Sequence, residues 1–245
     1  MALPPPPPHL PLPPVAEVSA ALTTPRVQVT SGFQGARIVL YGAVIDPRAC
    51  PCDVVVLVRG PEQSVRIARK IQVAGLWLNS RPVEFRGAPG FYMAASTRAL
   101  DTIARPAVLS QRGAGLEHLP IRSTSTSGLG DSDQAEWRAA IVRLKTRAKL
   151  YNADPGGVTF VDQGLFKSEI NLPTAAPIGR YRAEVVLFRQ GQAVATRSRD
   201  FTVEKVGFER LIYLFAHGAP WVYGFVSVAI ALGAGWAAST VFRRV

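Results

Sequence analysis

Short runs of Val, Ile and aromatic residues recur along most of the chain, each closed by Gly, Pro or Asn, which is the pattern of strands in a packed sheet. Such runs fill positions 26–30, 37–41, 53–58, 64–70, 72–78 and 91–96, then 158–161, 165–172, 180–189 and 192–204. Period-two alternation is plain in 165–172, where Phe166, Ser168, Ile170 and Leu172 point one way and Lys167, Glu169 and Asn171 the other. Positions 54–58 (Val-Val-Val-Leu-Val) are apolar without alternation. That predicts a central strand covered on both faces, or one in the middle of a sandwich. Gly60-Pro61 ends the run, because proline cannot donate to a ladder. Gln190-Gly191 reads as a hairpin turn.

Between these groups the pattern changes. Periodicity is weak over 97–131, and the Ser/Thr/Gly stretch 123–130 reads as a surface loop. A helix follows, with Asp133 and Glu136 at capping-box spacing. Trp137, Ile141, Leu144 and Ala148 fall on one face, and Arg138, Arg143, Lys145, Arg147 and Lys149 cover much of the rest. This helix packs by its Trp face with a solvated basic side, the alternative being a basic helix on lipid headgroups. Ten strands with one helical interruption predict a mainly β fold: an immunoglobulin-like β-sandwich with a helical insertion at about 97–150. Two small β-domains flanking a helical hairpin are the alternative.

The end of the chain follows neither period. Twenty-four residues, 219–242, carry no charged side chain and stop at Arg243-Arg244. As a helix they extend about 36 Å, more than the roughly 30 Å hydrocarbon core, which predicts one C-terminal transmembrane helix. Tyr213, Phe215, His217, Trp221 and Tyr223 sit where a membrane-interface belt belongs, with Arg243 and Arg244 as the opposite flank. Ser227, Ala231, Gly235 and Ser239 recur every four residues, a small stripe on which another helix could pack. The arginine pair favours a cytoplasmic C-terminus, hence a single-pass protein of the inner (cytoplasmic) membrane with its main domain periplasmic. The opening 1–14 holds eight prolines and neither a basic n-region nor an unbroken apolar core, so it does not read as an export signal. Either an upstream start supplies one, or the anchor itself directs insertion with the domain facing the cytosol. The predicted organisation is a Pro-rich disordered tail at 1–22, the β-domain at 23–207, and a juxtamembrane segment with the membrane helix at 208–245.

Charge and chemistry narrow the function. The net charge of +11 is spread, with +5 over 1–100, +3 over 101–150 and +3 over 151–245. A nucleic-acid surface would concentrate it among aromatics, so anionic lipid or an acidic partner is the better match. Cys50 and Cys52, separated by one proline, do not have the spacing of redox or zinc motifs. A metal- or thiol-handling envelope protein using this pair is the alternative function, but His9, His118 and His217 offer no companion ligand set. No hydrolase, zincin, phosphate-loop or dinucleotide motif is present, and Asp131 and Asp133 lack the remaining ligands of a calcium loop. The expectation is therefore no enzyme, no catalytic residue, no cofactor and no small-molecule substrate.

Several segments together carry a resemblance: Ser31-Gly-Phe-Gln-Gly-Ala-Arg-Ile-Val-Leu-Tyr-Gly, Asp53-Val-Val-Val-Leu-Val-Arg-Gly-Pro, Ala74-Gly-Leu-Trp-Leu-Asn, Phe91-Tyr, Lys205-Val-Gly-Phe-Glu and Phe215-Ala-His. From about residue 23 to 244 the chain resembles an uncharacterised transmembrane protein family of alphaproteobacteria. The resemblance implies an exported domain with one C-terminal membrane helix and no established activity. It also implies an integral-membrane partner, a permease of the sulfite-exporter type. The chain departs from the family in its Pro-rich start and at Arg48-Ala-Cys-Pro-Cys-Asp53, which reads as a lengthened hairpin loop.

Overall fold

The structure, a computed structural model, describes residues 16–30, 32–45, 52–124, 131–205 and 220–242. In chain order the strands are β1 (Glu17–Leu22), β2 (Arg26–Val29), β3 (Ala36–Ile45), β4 (Asp53–Arg59), β5 (Glu62–Ile67), β6 (Lys70–Val73), β7 (Leu76–Asn79), β8 (Val83–Pro89) and β9 (Tyr92–Ser96). Helices α1 (Leu100–Ile103) and α2 (Pro106–Arg112), a 3-10 turn (Leu116–His118), β10 (Arg122–Ser123) and helix α3 (Asp131–Arg147) follow. The chain then forms β11 (Tyr151–Pro155), β12 (Val158–Asp162), β13 (Leu165–Leu172), β14 (Gly179–Arg189), β15 (Gln192–Lys205) and helix α4 (Pro220–Phe242). Two units result, 1–27 with 33–203 and 28–32 with 204–245.

The first unit is mainly β. One sheet has the order β1-β3-β13-β12, a second β11-β9-β4-β14-β15-β2, a third β10-β8-β5, and β6-β7 form a separate ribbon. β4 explains the layering. Val54, Val55, Val56, Leu57 and Val58 are all fully buried, so neither face of this strand meets water. Val55 and Leu57 share a cluster with Tyr92, Val186, Phe188, Phe85, Leu109 and Ile141, which is the side covered by the helices and the three-stranded sheet. Successive residues alternate faces, so Val54, Val56 and Val58 point the other way. There the inward row of the four-stranded sheet, Ile38, Leu40, Phe166 and Ile170, is equally buried. The two large sheets thus pack as in a β-sandwich, and the 97–150 region forms a third layer behind one of them.

A polar clamp holds one end of β4. At its start the Arg98 guanidinium donates to Asp53 from Nε at 2.8 Å and Nη2 at 2.7 Å, and Thr97 Oγ1 donates to the same carboxylate at 3.0 Å. This pairing, more than the Coulomb attraction alone, raises the Arg98 pKa further above its ordinary value. Tyr181, at the start of β14, stacks on Phe201 with ring centroids 5.0 Å apart and donates its hydroxyl to the Pro177 carbonyl at 2.6 Å.

Several expectations are corrected. The strand β1 occupies Glu17–Leu22 and pairs with β3 from Glu17↔Ile45 to Leu22↔Leu40, so the ordered domain begins inside the segment assigned to a disordered tail. Positions 72–78 are not one strand: Ala74 (φ 51°) and Gly75 (φ 83°) turn the chain between β6 and β7. The 48–53 loop is no hairpin, because β3 and β4 lie in different sheets. The α3 helix starts at Asp131, ahead of the predicted cap at Asp133. On α3, Ile141 is buried and Trp137 half-buried, whereas Leu144 and, one residue past the helix, Ala148 are exposed. The contact line instead continues through Lys145, whose stem lies against the domain while Nζ donates to Gln63 Oε1 at 2.8 Å. That partial burial lowers the Lys145 pKa. At Gln190 (φ 49°) and Gly191 (φ 80°) the expected β14–β15 turn is present.

The second unit is represented chiefly by α4, 23 residues without a charged side chain. Among the described residues, no helix is long and apolar enough to cross a membrane.

The tightest approach in the sandwich gives a test. A Cβ on Gly42 would collide with the Phe166 ring and lie 2.6 Å from the Ser19 carbonyl oxygen. Gly42→Ala is expected to destabilise the domain by about 1–3 kcal/mol through overpacking. Urea unfolding of the detergent-solubilised chain reads this as a lower midpoint, partly restored by adding Phe166→Leu. An unchanged midpoint in Gly42→Ala would show that the close approach constrains nothing.

Candidate functional site

The end of β4 carries a charge into the apolar layer. Arg59 follows five buried residues and lies on the same face as Val55 and Leu57. Its register partner Tyr92 is fully buried, and nearby Glu184 interrupts the apolar run of β14. The Arg59 Nη1 donates to Glu184 Oε2 at 2.9 Å, and Nη2 donates to the carbonyls of Arg112 and of Gly113, the latter at 3.4 Å. These carbonyls end α2, where Gly113 takes a left-handed turn (φ 58°), so the guanidinium both caps the helix and opposes the negative end of its dipole. Tyr92 completes the knot, its hydroxyl donating to the Gly113 carbonyl at 2.8 Å and accepting from the Gly115 N–H at 2.8 Å. Burial pushes the Tyr92 phenol up to about 12, against the lowering effects of the Gly115 N–H and of the Arg59 charge.

Through Gly115, whose N–H it holds, the knot touches the wall of the largest described groove, about 550 Å³. The groove opens at the carboxyl ends of β9 and β11, which pair in parallel from Tyr151↔Tyr92 to Pro155↔Ser96. The connection between them is the helical layer itself, since parallel neighbours need a crossover. Leu100, Leu109, Ala94 and Ala114 make its apolar lining, and Asp101, Glu117, His118 and Asp154 its polar rim. In a strongly basic chain, this rim has no Lys or Arg among its lining residues. Ser96, buried beneath it, is engaged by donating to the Arg98 carbonyl at 2.6 Å. Among the described residues, no three His, Cys, Asp or Glu side chains are placed to hold one metal ion. The groove is thus apolar in its lining and acidic at its rim.

The sequence-predicted residues lie elsewhere. Cys50 is outside the described residues, and Cys52 is half-buried one residue before β4. His9, Tyr213, Phe215, His217, Arg243 and Arg244 are outside them as well. Ser227, Ala231, Gly235 and Ser239 fall along α4 at one-turn spacing; Ala231, Gly235 and Ser239 are exposed, and a Cβ on Gly235 would meet nothing within 4 Å. Tyr223 is on the same helix, its side chain outside the described ones, and Trp221 is 79 % exposed. Sequence reasoning missed Arg59, Glu184 and Tyr92. The available signal was Arg59 closing the five-residue apolar run of β4 and Glu184 set between Ala183 and Val185 in β14.

Comparison with known proteins gives one family. A family profile described as "Putative transmembrane protein (Alph_Pro_TM)" matches residues 17–244. Among curated proteins, none matches. The crystal structure of AggA, the major subunit of aggregative adherence fimbriae type I from Escherichia coli, covers 81 % of this chain and 99 % of its own, with 11 % identity and a TM-score of 0.28.

The buried phenol makes the knot testable by pH. Tyr92 keeps its proton longer folded than unfolded, so its contribution is complete below the unfolded value of about 10 and is lost as pH rises toward about 12. The loss is on the order of 2–3 kcal/mol for a shift of this size. Unfolding midpoints measured from pH 9 to 12 should fall steeply in the wild type and less steeply in Tyr92→Phe. Equal slopes would mean that Tyr92 titrates as it does in the unfolded chain.

Proposed function

The chain belongs to that transmembrane family, and we propose that it is a single-pass, membrane-anchored accessory protein whose β-domain is an interaction module. What supports this reading is the charge-free stretch 219–242, which lies inside the segment matched by the family profile. As one helix it would extend about 36 Å, against a hydrocarbon core of about 30 Å. The described large side chains of α4, Trp221, Val228, Ile230, Leu232 and Trp236, are 60–79 % exposed. A helix apolar on every side needs a surrounding apolar medium, and lipid provides one.

Arg243-Arg244 supports a cytoplasmic C-terminus, with the β-domain in the periplasm and the inner membrane between. The sandwich is immunoglobulin-like: the Tyr181 hydroxyl bonded to a carbonyl four residues upstream is the tyrosine-corner arrangement. The partner is an integral-membrane permease of the sulfite-exporter type, met by the Ser227, Ala231, Gly235 and Ser239 row, where small residues let helices approach closely. The protein acts by association and not as an enzyme.

Three outcomes test this in whole membranes. The chain should remain in the pellet after alkaline carbonate extraction. External protease in intact spheroplasts should digest the β-domain and spare a tag at Val245; cleavage of the tag would reverse the orientation. Replacing the small row by Leu should abolish in-membrane crosslinking to one partner while leaving the chain in the pellet. Unaltered crosslinking would remove the helix from recognition.

A further inference from the structure

The β6–β7 hairpin presents an apolar tip that nothing in the anchoring role uses. Val73 is 47 % exposed, Leu76 67 %, Trp77 67 % and Leu78 49 %. The register pairs Val73 with Leu76 and Gln72 with Trp77. Paired residues share a face, so Val73, Leu76 and Leu78 lie on one side of the ribbon and Trp77 on the other. Large apolar side chains thus face outward on both sides. A solid protein groove covers one face of such a ribbon, whereas a fluid apolar medium surrounds both.

The base of the ribbon is built differently. The Ser80 N–H donates to the Arg69 carbonyl at 2.7 Å, and the Arg69 N–H donates to Ser80 Oγ at 3.0 Å. The Arg69 side chain pairs with Glu136 at 2.8 Å and lies over the Trp137 ring at 5.0 Å, which fixes the base to α3. Lys70 and Arg81 are exposed where the two strands leave the domain. Residues 66–86 hold five basic side chains and one acidic one. Three residues of strand from Lys70 to Val73 reach about 10 Å. The headgroup region on each side of a bilayer is about 5–8 Å deep. With Lys70 and Arg81 at the phosphates, the tip would therefore reach the edge of the acyl chains, and Trp77 would sit at the level that interfacial tryptophans favour.

We propose that the β6–β7 hairpin is a membrane-insertion element that binds the surface of an anionic phospholipid bilayer, Val73, Leu76, Trp77 and Leu78 entering the interface and Lys70 and Arg81 pairing with headgroup phosphates. This goes beyond the anchor: it gives the β-domain its own contact with lipid.

Trp77 is its own reporter. The full chain is reconstituted in vesicles of phosphatidylcholine with 30 % phosphatidylglycerol, with and without brominated acyl chains, beside Trp77→Ser; the difference between the two proteins isolates the Trp77 emission. Insertion predicts blue-shifted emission that brominated chains quench. The charge pair Lys70→Glu with Arg81→Glu should weaken that quenching severalfold, since each basic residue near an anionic surface adds roughly a fivefold preference. Vesicles of phosphatidylcholine alone should quench less than the anionic ones. Emission from Trp77 that is unshifted and equally bright in both acyl types overturns the proposal, as does quenching indifferent to the charge reversal. Crosslinking of position 77 to a protein in cells, with no quenching in vesicles, overturns it in favour of a protein partner. Carbonate extraction of the same vesicles reports the α4 anchor separately, and unchanged urea midpoints in the variants show that the exposed substitutions leave the domain folded.

Discussion

A strand with no solvent face constrains everything around it. With all five of Val54 to Val58 fully buried, β4 needs a cover on each side. Each such side chain is worth about 1.5–3 kcal/mol only while it stays out of water. The four-stranded sheet supplies one cover. The other comes from the 97–150 region, whose Leu109, Leu119 and Ile141 join the same cluster as Val55 and Leu57. The helical insertion is therefore the second wall of the core and not an ornament on a finished sandwich.

The charges that flank β4 follow from the same constraint. Its backbone is satisfied by β9 and β14, but the chain must leave the core at both ends, and Asp53 and Arg59 mark those exits. Asp53 is held by Arg98 and Thr97 from the end of β9. Arg59, with side chain 28 % exposed, is paired with Glu184 through Nη1 and donates from Nη2 to the carbonyls that end α2. A partly buried guanidinium with fewer partners would be costly. Here it ties the helical layer to the sheet, and the acidic-rimmed groove lies along that tie. Within the same unit the β6–β7 ribbon carries the opposite character, apolar at its tip and basic at its base.

Legibility varied from element to element for physical reasons. In β13 the alternation of Phe166, Ser168, Ile170 and Leu172 against Lys167, Glu169 and Asn171 marks one dry and one wet face, and the burial pattern follows it. β14 and β15 were equally plain because Gln190-Gly191 separates two long runs, 180–189 and 192–204, that no other Gly or Pro interrupts. β1 was not: its inward positions are Val18 and Ala20, and alanine carries little strand signal. β11, Tyr-Asn-Ala-Asp-Pro, has almost no intrinsic strand tendency and exists because the crossover returns it beside β9. β8 hides behind Gly87 and Pro89, residues that ordinarily end strands. Of the candidate site, neither the groove nor the Arg59 knot could be read, because their members come from β4, β9, α2 and β14, far apart along the chain.

By itself the sequence determined the strand-rich character, the doubly covered β4, the place of the helical insertion and the charge-free terminal segment. Membership in the transmembrane family, first visible as the motifs from Ser31 to Phe215, belongs with these. Each is written in local composition or period, where burial of a face and side-chain identity coincide. Only the tertiary structure decided that β3 and β4 separate into different sheets, that β9 and β11 run parallel, and that Arg59 reaches across 125 residues to Glu184. The same holds for the exposure of Leu76, Trp77 and Leu78, whose apolar pattern alone reads as core. Which neighbours cover a face is a matter of chain return and packing, and no local pattern encodes it.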